Sequence, residues 1–142
     1  MHKELGVQSL AGTPKARFGH ASACLPSEAR REVERAVAAR SRATDTVAVS
    51  DALLVATELT TNAILHGGGI TDFRVDVVGP GIRVSVCDRS DELPVASDLV
   101  DPLRRSGLGG RGWPIVCRLA RDVQVSGLPS GGKCITAVVT LP

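Results

Sequence analysis

Aromatic side chains are scarce in this chain of 142 residues, where Phe, Trp and Tyr together make up 2% of the sequence. Trp113, Phe18 and Phe73 are present, and tyrosine is absent. Proteins that bind single-stranded nucleic acid stack the bases on aromatic side chains, so this class is disfavoured. The net charge is only +2, with acidic and basic residues interspersed. The sequence therefore shows no basic stripe, and we expect no nucleic-acid partner.

Long apolar runs are also missing. No run approaches the roughly 20 residues that span a bilayer, and the N-terminus lacks the apolar core of a signal peptide. We therefore expect a cytoplasmic protein without membrane contact. The hydrophobic fraction of 43% and the charged fraction of 23% are typical of a globular chain. The length fits one domain, expected at residues 18–142 behind a mobile N-terminal arm of residues 1–17.

The cysteines lack the spacing of a metal site. Cys24, Cys87, Cys117 and Cys134 form no C-x-x-C pair, and no histidine lies at zinc-finger spacing from them. This pattern disfavours a zinc site. Three of the four lie in apolar runs, where a cysteine behaves as a small buried hydrophobe. In a reducing cytosol we expect thiols rather than disulfides.

Helical periodicity is present in the first half of the chain. After a possible short strand at residues 20–25, Ser27 is the expected N-cap of a helix that runs to about residue 40. A second helix is expected from about residue 46 to residue 66, where three consecutive glycines end it.

The hydrophobic period then changes to two. Two alternating runs around a Gly-Pro-Gly turn predict an antiparallel hairpin, and a second hairpin is expected at the end of the chain. Between them lie a long irregular segment and a short helix. An irregular segment of that length is usually functional, and we expect a lid. The order predicts an α+β two-layer sandwich, with helices on one face of a mainly antiparallel sheet. The expected elements are strands 71–78 and 82–88, loop 89–111, helix 113–119, and strands 123–125 and 134–141.

A polar face stands out on the second predicted helix. Glu58, Asn62 and His66 recur at steps of four, which places them on one side of the helix, one turn above another. A carboxylate, an amide and an imidazole in this arrangement suit metal–phosphate chemistry, with a base, an oxygen ligand for a hard cation and a donor. The alternative is an amphipathic helix whose polar face meets water.

Two glycine-rich motifs resemble nucleotide-binding loops but lack their context. The run from Gly107 to Gly112 matches G-x-G-x-x-G, yet no strand directly precedes it and no acidic residue follows at the required distance. The run from Gly127 to Cys134 is one residue from a P-loop, but a strand pattern follows it where a P-loop needs a helix. We interpret the second run as a hairpin turn with Lys133 in solvent.

Three segments combine into one site. The helix supplies Glu58 and Asn62, and the second strand of the first hairpin ends at Asp88. The glycine-rich loop leads into the helix that begins near Arg111, and a helix N-terminus binds anions through its free N–H groups and its dipole. A carboxylate, an amide that can bind a metal, and a phosphate cradle are the parts of a Mg²⁺–nucleotide site.

These segments resemble the sequence boxes of the GHKL, or histidine-kinase-like, ATPase family. The Glu58–Gly67 stretch is similar to the N box, and Val86-Cys-Asp88 with Leu93-Pro94 is similar to the G1 box. The stretch from Gly107 to Val116 is similar to the G2 box. The resemblance covers residues 20–142, and the order and spacing look closest to the single-domain anti-sigma factor serine kinases.

The resemblance implies a role for each residue of the site. Glu58 would be the general base, Asn62 would bind Mg²⁺, and Asp88 would accept a hydrogen bond from the adenine amino group. The G2 glycines and the residues among them would wrap the phosphates of ATP, and two further residues complete the nucleotide-binding set. The phosphate loop comprises Gly107, Leu108, Gly109, Gly110, Arg111 and Gly112, and the further residues are His66 and Thr136. For His66, a favourable charge at a helix C-terminus is the alternative role.

The sequence departs from the family pattern in the G1 box. Charged and polar residues 89–92 stand where glycines usually follow the aspartate. Three hypotheses remain: a protein serine/threonine kinase acting on an antagonist protein, a nucleotide-gated binding module without useful catalysis, and a protein that has lost nucleotide binding. For the first, the resemblance implies MgATP as cofactor, an antagonist protein as substrate, and a sigma factor as a further partner. It also allows a homodimer.

Overall fold

The computed structural model describes residues 25–40, 45–92 and 112–141. Within these residues the elements follow the predicted order, and the α+β fold class is confirmed. Three helices and a four-stranded antiparallel sheet share one hydrophobic core. The expected arm 1–17, the strand 20–25 and most of the expected lid lie outside the described residues. The elements are α1 (Pro26–Ala38), α2 (Thr46–His66), β1 (Ile70–Val78), β2 (Gly81–Asp88), α3 (Gly112–Leu119), β3 (Asp122–Gly127) and β4 (Lys133–Thr140).

Helix α1 begins two residues earlier than predicted. Leu25, not Ser27, is the N-cap, and Pro26 occupies the first turn, where its missing N–H costs nothing. The Glu28 carboxylate accepts a hydrogen bond from the Leu25 backbone N–H at 3.1 Å. A proline in the first turn and an acidic side chain that reaches back therefore start this helix, and the prediction of Ser27 as the cap was wrong.

Helix α2 has the predicted bounds. Asp45 caps it by accepting a hydrogen bond from the Val47 N–H at 2.9 Å, and Gly67 ends it. By length and composition alone, this helix would pass for a membrane span. However, it packs against α1, α3 and the sheet, and its buried side supplies the centre of the core. The buried apolar residues of α2 are Ala48, Ala52, Val55, Ala56, Leu59 and Ala63.

The sheet runs in the order β1-β2-β4-β3, with every neighbouring pair antiparallel. Apolar side chains alternate along the strands, and the buried set faces the helices. In the register, Val86 of β2 lies between Phe73 of β1 and Ile135 of β4. Asp88 is two residues beyond Val86, so it points to the same face of the sheet at the end of β2.

The opposite face of the sheet carries polar pairs and a disulfide. Arg83 and Asp76 form an ion pair at 3.4 Å across β1 and β2. Cys87 and Cys134 lie directly opposite each other in β2 and β4 and are joined as a disulfide. The expectation of thiols at these two positions was therefore wrong. The long-range register that brings the two sulfurs together has no signal in their spacing along the chain.

Candidate functional site

The polar flank of α2 holds Glu58 and Asn62 one turn apart, as predicted. Both side chains are half-buried, at the border between the core side of the helix and its exposed side. Burial raises the pKa of the Glu58 carboxyl above its ordinary value of 4.5 because desolvation disfavours the charged form. A carboxyl with a raised pKa binds a proton more readily at neutral pH, which suits a general base.

His66 is the last residue of α2 and is exposed. It lies one turn beyond Asn62, so the predicted step of four is kept to the end of the helix. A basic residue in the last turn also complements the negative end of the helix dipole. Its position agrees with either of the two roles that the sequence left open.

One backbone hydrogen bond joins the end of α2 to the end of β2, and a second closes the C-terminus of α2. The Arg89 N–H donates to the Gly67 carbonyl at 2.8 Å, and the Gly69 N–H donates to the Ala63 carbonyl at 2.9 Å. The Arg89 guanidinium adds a hydrogen bond to the Gly68 carbonyl at 3.2 Å. The C-terminus of the Asn62 helix and the strand end that carries Asp88 therefore form one connected corner of the domain.

Asp88 is buried at this corner and is paired with Lys133, the first residue of β4. The Lys133 Nζ donates to Asp88 Oδ1 at 3.0 Å and to Oδ2 at 3.1 Å. The side chains are 6% and 7% exposed, respectively. Asp88 Oδ1 also accepts a hydrogen bond from the Ser90 N–H at 2.9 Å, and Lys133 donates to the Ser90 carbonyl at 3.3 Å. The carboxylate is therefore held by several donors of this chain.

Two glycines leave room for this pair. A Cβ on Gly67 would lie 2.5 Å from the Asp88 carboxyl carbon and from Oδ2, so no larger residue fits there. A Cβ on Gly132 would meet the Asp88 carbonyl oxygen, and Gly132 has φ = +88°, which favours glycine. The Gly132 N–H donates to Asp91 Oδ1 at 2.7 Å. The glycines thus allow α2, β2 and β4 to meet closely.

Lys133 is the residue that sequence reasoning misplaced. The expectation of a solvated lysine in a hairpin turn was wrong, because Lys133 begins β4 and is buried. Its register partner is Asp88, and it shares a face with the core residues Ile135, Ala137 and Val139. The sequence did contain a signal for this burial. Lys133 is two residues before Ile135, the first of these apolar residues, and strand residues two apart point to the same face.

Thr136 is not brought to this corner. It lies on the face of the sheet opposite Asp88, where its hydroxyl is 2.9 Å from the Ser85 hydroxyl. The alternation along β4 explains the difference, because Thr136 is an odd number of residues from Lys133. The structure therefore separates Thr136 from the other predicted nucleotide-binding residues that it describes.

The predicted phosphate loop lies mostly outside the described residues. Gly107, Leu108, Gly109, Gly110 and Arg111 belong to that part, and Gly112 begins α3. Helix α3, which follows these residues in the chain, packs against α2, the helix of Glu58 and Asn62. Pro114 lies in the first turn of α3, where proline is tolerated.

The described residues fit a magnesium ion held jointly with phosphate. Within residues 25–40, 45–92 and 112–141, no cluster of three or more His, Cys, Asp or Glu side chains could hold a metal ion alone. Mg²⁺ retains waters and typically takes one or two protein ligands plus substrate phosphates. The amide of Asn62, beside the carboxylate of Glu58, is the kind of oxygen donor that such an ion uses.

Comparison with known families agrees with this geometry. Residues 22–139, which make up most of the chain, match the sequence model of the family described as Histidine kinase-like ATPase domain. No curated protein matched the sequence. The chain therefore belongs to the histidine kinase-like ATPase family, and membership indicates ATP binding and an ATPase- or kinase-type activity. The assignment to a particular branch does not follow from this match.

Proposed function

We propose that this histidine kinase-like ATPase is a serine/threonine protein kinase of the anti-sigma factor type. It would bind MgATP and phosphorylate a serine of a small antagonist protein, and it would also sequester a sigma factor. The observation that carries the proposal is the pair on α2: a carboxyl with a raised pKa and, one turn away, an amide suited to Mg²⁺. A protein that only binds nucleotide needs no such base.

Two side chains, Glu58 and Asn62, have roles in the proposed transfer step. Glu58 accepts the proton of the serine hydroxyl as its oxygen forms a bond to the γ-phosphorus of ATP, and the bond from that phosphorus to the bridging oxygen breaks to release ADP. Asn62 would hold the Mg²⁺ ion, and the ion would supply positive charge to the phosphates. A Glu58 carboxylate in water would be a weaker base, so its partial burial favours proton transfer.

A second candidate is a nucleotide-gated binding module without useful catalysis. The ion pair between Asp88 and Lys133 favours it, because the carboxylate that the family resemblance assigns to adenine is engaged by this chain's own lysine. In this case nucleotide would order the segment after residue 92 and so present a surface to a protein partner. The two candidates share the fold and differ in the need for Glu58.

Incubation with γ-labelled ATP and a candidate antagonist protein tests the proposal. We expect label on a serine of the antagonist in the parent and not in a Ser→Ala antagonist. Nucleotide binding without transfer to any protein, and without ATP turnover, would favour the binding module. Failure of both MgATP and MgADP to bind at millimolar concentration would remove both candidates.

The metal assignment has its own measurement. In the parent, chelation of Mg²⁺ should weaken ATP binding, and Asn62→Ala should reduce that dependence because phosphate and water ligands remain. Asp51→Asn is a matched control, since Asp51 lies on the same helix two turns before Glu58. If chelation leaves the affinity of the parent unchanged, Asn62 has only a structural role.

The location that accompanies this function is the cytoplasm. A disulfide between Cys87 and Cys134 is uncommon in that compartment. Alkylation of thiols during cell lysis, followed by mapping of the linked peptides, would show in which state the two cysteines exist there.

A further inference from the structure

The Asp88–Lys133 pair is built into the register of the sheet. The two residues are Cα partners at the end of the β2–β4 ladder, and both point to the helix face. Buried aspartate and lysine side chains are rare unless they are paired, and here each is almost completely removed from solvent. The contact is therefore fixed by the backbone on both sides and is not an accident of two mobile surface side chains.

The hydrogen-bonding capacity of the pair is nearly used up. A carboxylate offers about four acceptor positions and an ammonium three donors. Lys133 Nζ takes one position on each carboxylate oxygen, the Ser90 N–H takes another on Oδ1, and the remaining ammonium donor reaches the Ser90 carbonyl. One acceptor position remains on Oδ2, and a Cβ added to Gly67 would lie 2.5 Å from this oxygen. Little capacity is left for a ligand.

A free buried carboxylate would select strongly among purines. It accepts hydrogen bonds and donates none, so it favours the amino group of adenine and repels the carbonyl group that hypoxanthine carries at the same ring position. A carboxylate neutralised by a lysine ammonium loses that preference. The pair carries no net charge, and its acceptor positions are already filled by donors of the protein.

We propose that Lys133 withdraws Asp88 from recognition of the base and makes the nucleotide site nearly indifferent to the group at the six-position of the purine. This proposal rests on the proposed function, because it presumes that the domain binds a metal–nucleoside triphosphate. Affinity then comes from the triphosphate, the metal and the sugar. Lys133 is in this sense a specificity-determining residue of the site.

The test is a comparison of MgATP with MgITP, which differs from MgATP only at the six-position edge of the base. Binding of each is measured by calorimetry on the full chain at one salt concentration. For the parent we expect the two affinities to agree within about tenfold, since an unsatisfied buried polar group would separate them by more. A preference for MgATP above tenfold would overturn the proposal while leaving the proposed function intact.

Variants at Lys133 sharpen the test. Lys133→Met frees the carboxylate, and the preference for MgATP over MgITP should rise by at least about tenfold. Lys133→Arg keeps the positive charge beside Asp88 and should retain the indifference of the parent. An unchanged ratio in Lys133→Met would overturn the proposal. If Lys133→Met does not fold, as judged by its thermal transition, Lys133→Gln removes the charge with less loss of hydrogen bonding.

The two proposals fail in different ways. If neither MgATP nor MgITP binds the parent, the proposed function falls and this inference falls with it. If MgATP binds and MgITP does not, the domain is an adenine-specific ATP-binding protein, and Lys133 moves aside when the base enters. Only similar binding of both nucleotides, with a Lys133-dependent ratio, supports the role assigned to Lys133.

Discussion

The carboxylates of Glu58 and Asp88 are in opposite circumstances. Glu58 lies on the flank of α2, half-buried, and burial raises its pKa. Asp88 lies at the end of β2, more deeply buried, yet it is surrounded by a lysine ammonium and a backbone N–H. The first carboxylate gains reactivity because its charge is poorly solvated, while the second is held in place because its charge is compensated.

This contrast shows that burial alone does not identify a reactive acid. Judged by exposure, Asp88 is the more unusual residue, and the family resemblance implies a contact with adenine for it. Judged by its partners, Glu58 is the carboxylate to which we assign the role of general base. Perturbed pKa values mark functional sites best when a desolvated group also lies beside a suitable ligand, as Glu58 does beside Asn62.

The largest expected effect is on catalysis at Glu58. Glu58→Gln keeps the shape of the side chain and removes the base, so transfer of phosphate to the partner should fall by about 10²–10⁴-fold. The affinity for MgATP should change little. The rate in the parent should also rise with pH through the raised pKa of Glu58, because the carboxylate form is the active base.

Asp51→Asn is the matched control, measured in the same single-turnover assay with labelled ATP. It removes a carboxylate from the same helix, two turns before Glu58, and should leave transfer close to the parental rate. Parental transfer by Glu58→Gln would show that the base is elsewhere.

The next largest effect is expected on the stability of the corner that contains Asp88 and Lys133. Asp88→Asn keeps the shape but leaves the buried Lys133 ammonium without its counter-charge, and loss of one partner of a buried pair typically costs about 3–5 kcal/mol. Urea denaturation gives the free energy of unfolding. The double variant Asp88→Asn with Lys133→Met leaves no unpaired charge and should recover much of the loss. Equal losses in the single and double variants would mean that the pair is not coupled.

A smaller loss is expected at the glycine that faces Asp88. Gly67 has φ = −103°, a conformation open to any residue, so Gly67→Ala tests only the clash of the new Cβ with the carboxylate. Overpacking of this kind costs about 1–3 kcal/mol. The control is Gly79→Ala, in the β1–β2 turn, where a Cβ would meet nothing within 4 Å and only the positive φ is unfavourable. If Gly67→Ala melts like the parent, the corner adapts more easily than its contacts indicate.

A still smaller effect on stability is expected at Thr136, which lies away from the site. Thr136→Val keeps the side-chain shape and removes the hydroxyl that contacts Ser85, so we expect a loss of about 0.5–1.5 kcal/mol in stability. The affinity for MgATP should stay within about threefold of the parent, because the side chain points away from the helix face. A loss of affinity above tenfold would restore the nucleotide-binding role that the resemblance assigns to it.

Local patterns predicted the frame of the domain well. The bounds of α2 followed from its apolar spacing and the glycines after it, which act within a few residues. The same spacing placed Glu58 and Asn62 on one flank, because helix geometry fixes residues four apart. The strand alternation and the glycine turn predicted the first hairpin in a similar way.

Apart from the N-cap of α1, the corrections concern partners that are distant in sequence. Lys133 is 45 residues from Asp88, and Cys134 is 47 residues from Cys87. Both pairs depend on the register of β2 with β4, which neither strand encodes alone. Thr136, which the resemblance places in the nucleotide-binding set, lies on the face of the sheet opposite Asp88, as strand parity determines. The sequence thus predicted features that depend on neighbouring residues, but it did not predict which residues pair across the sheet.

The smallest effect expected is on the pH dependence of stability at Glu58. Its pKa in the folded protein is raised, so the folded state binds the proton more tightly than the unfolded state does. The free energy of unfolding of the parent should therefore fall as the pH rises from about 4.5 through the raised pKa. Glu58→Gln lacks this loss. The variant should match the parent in acid and be slightly more stable near neutral pH. Urea denaturation of both proteins between pH 4 and pH 8 measures the difference, with exposed Glu34→Gln on α1 as the control for loss of a carboxylate. A difference that shrinks as the pH rises would mean that Glu58 is stabilised in its charged form by a partner, and the contrast with Asp88 would disappear.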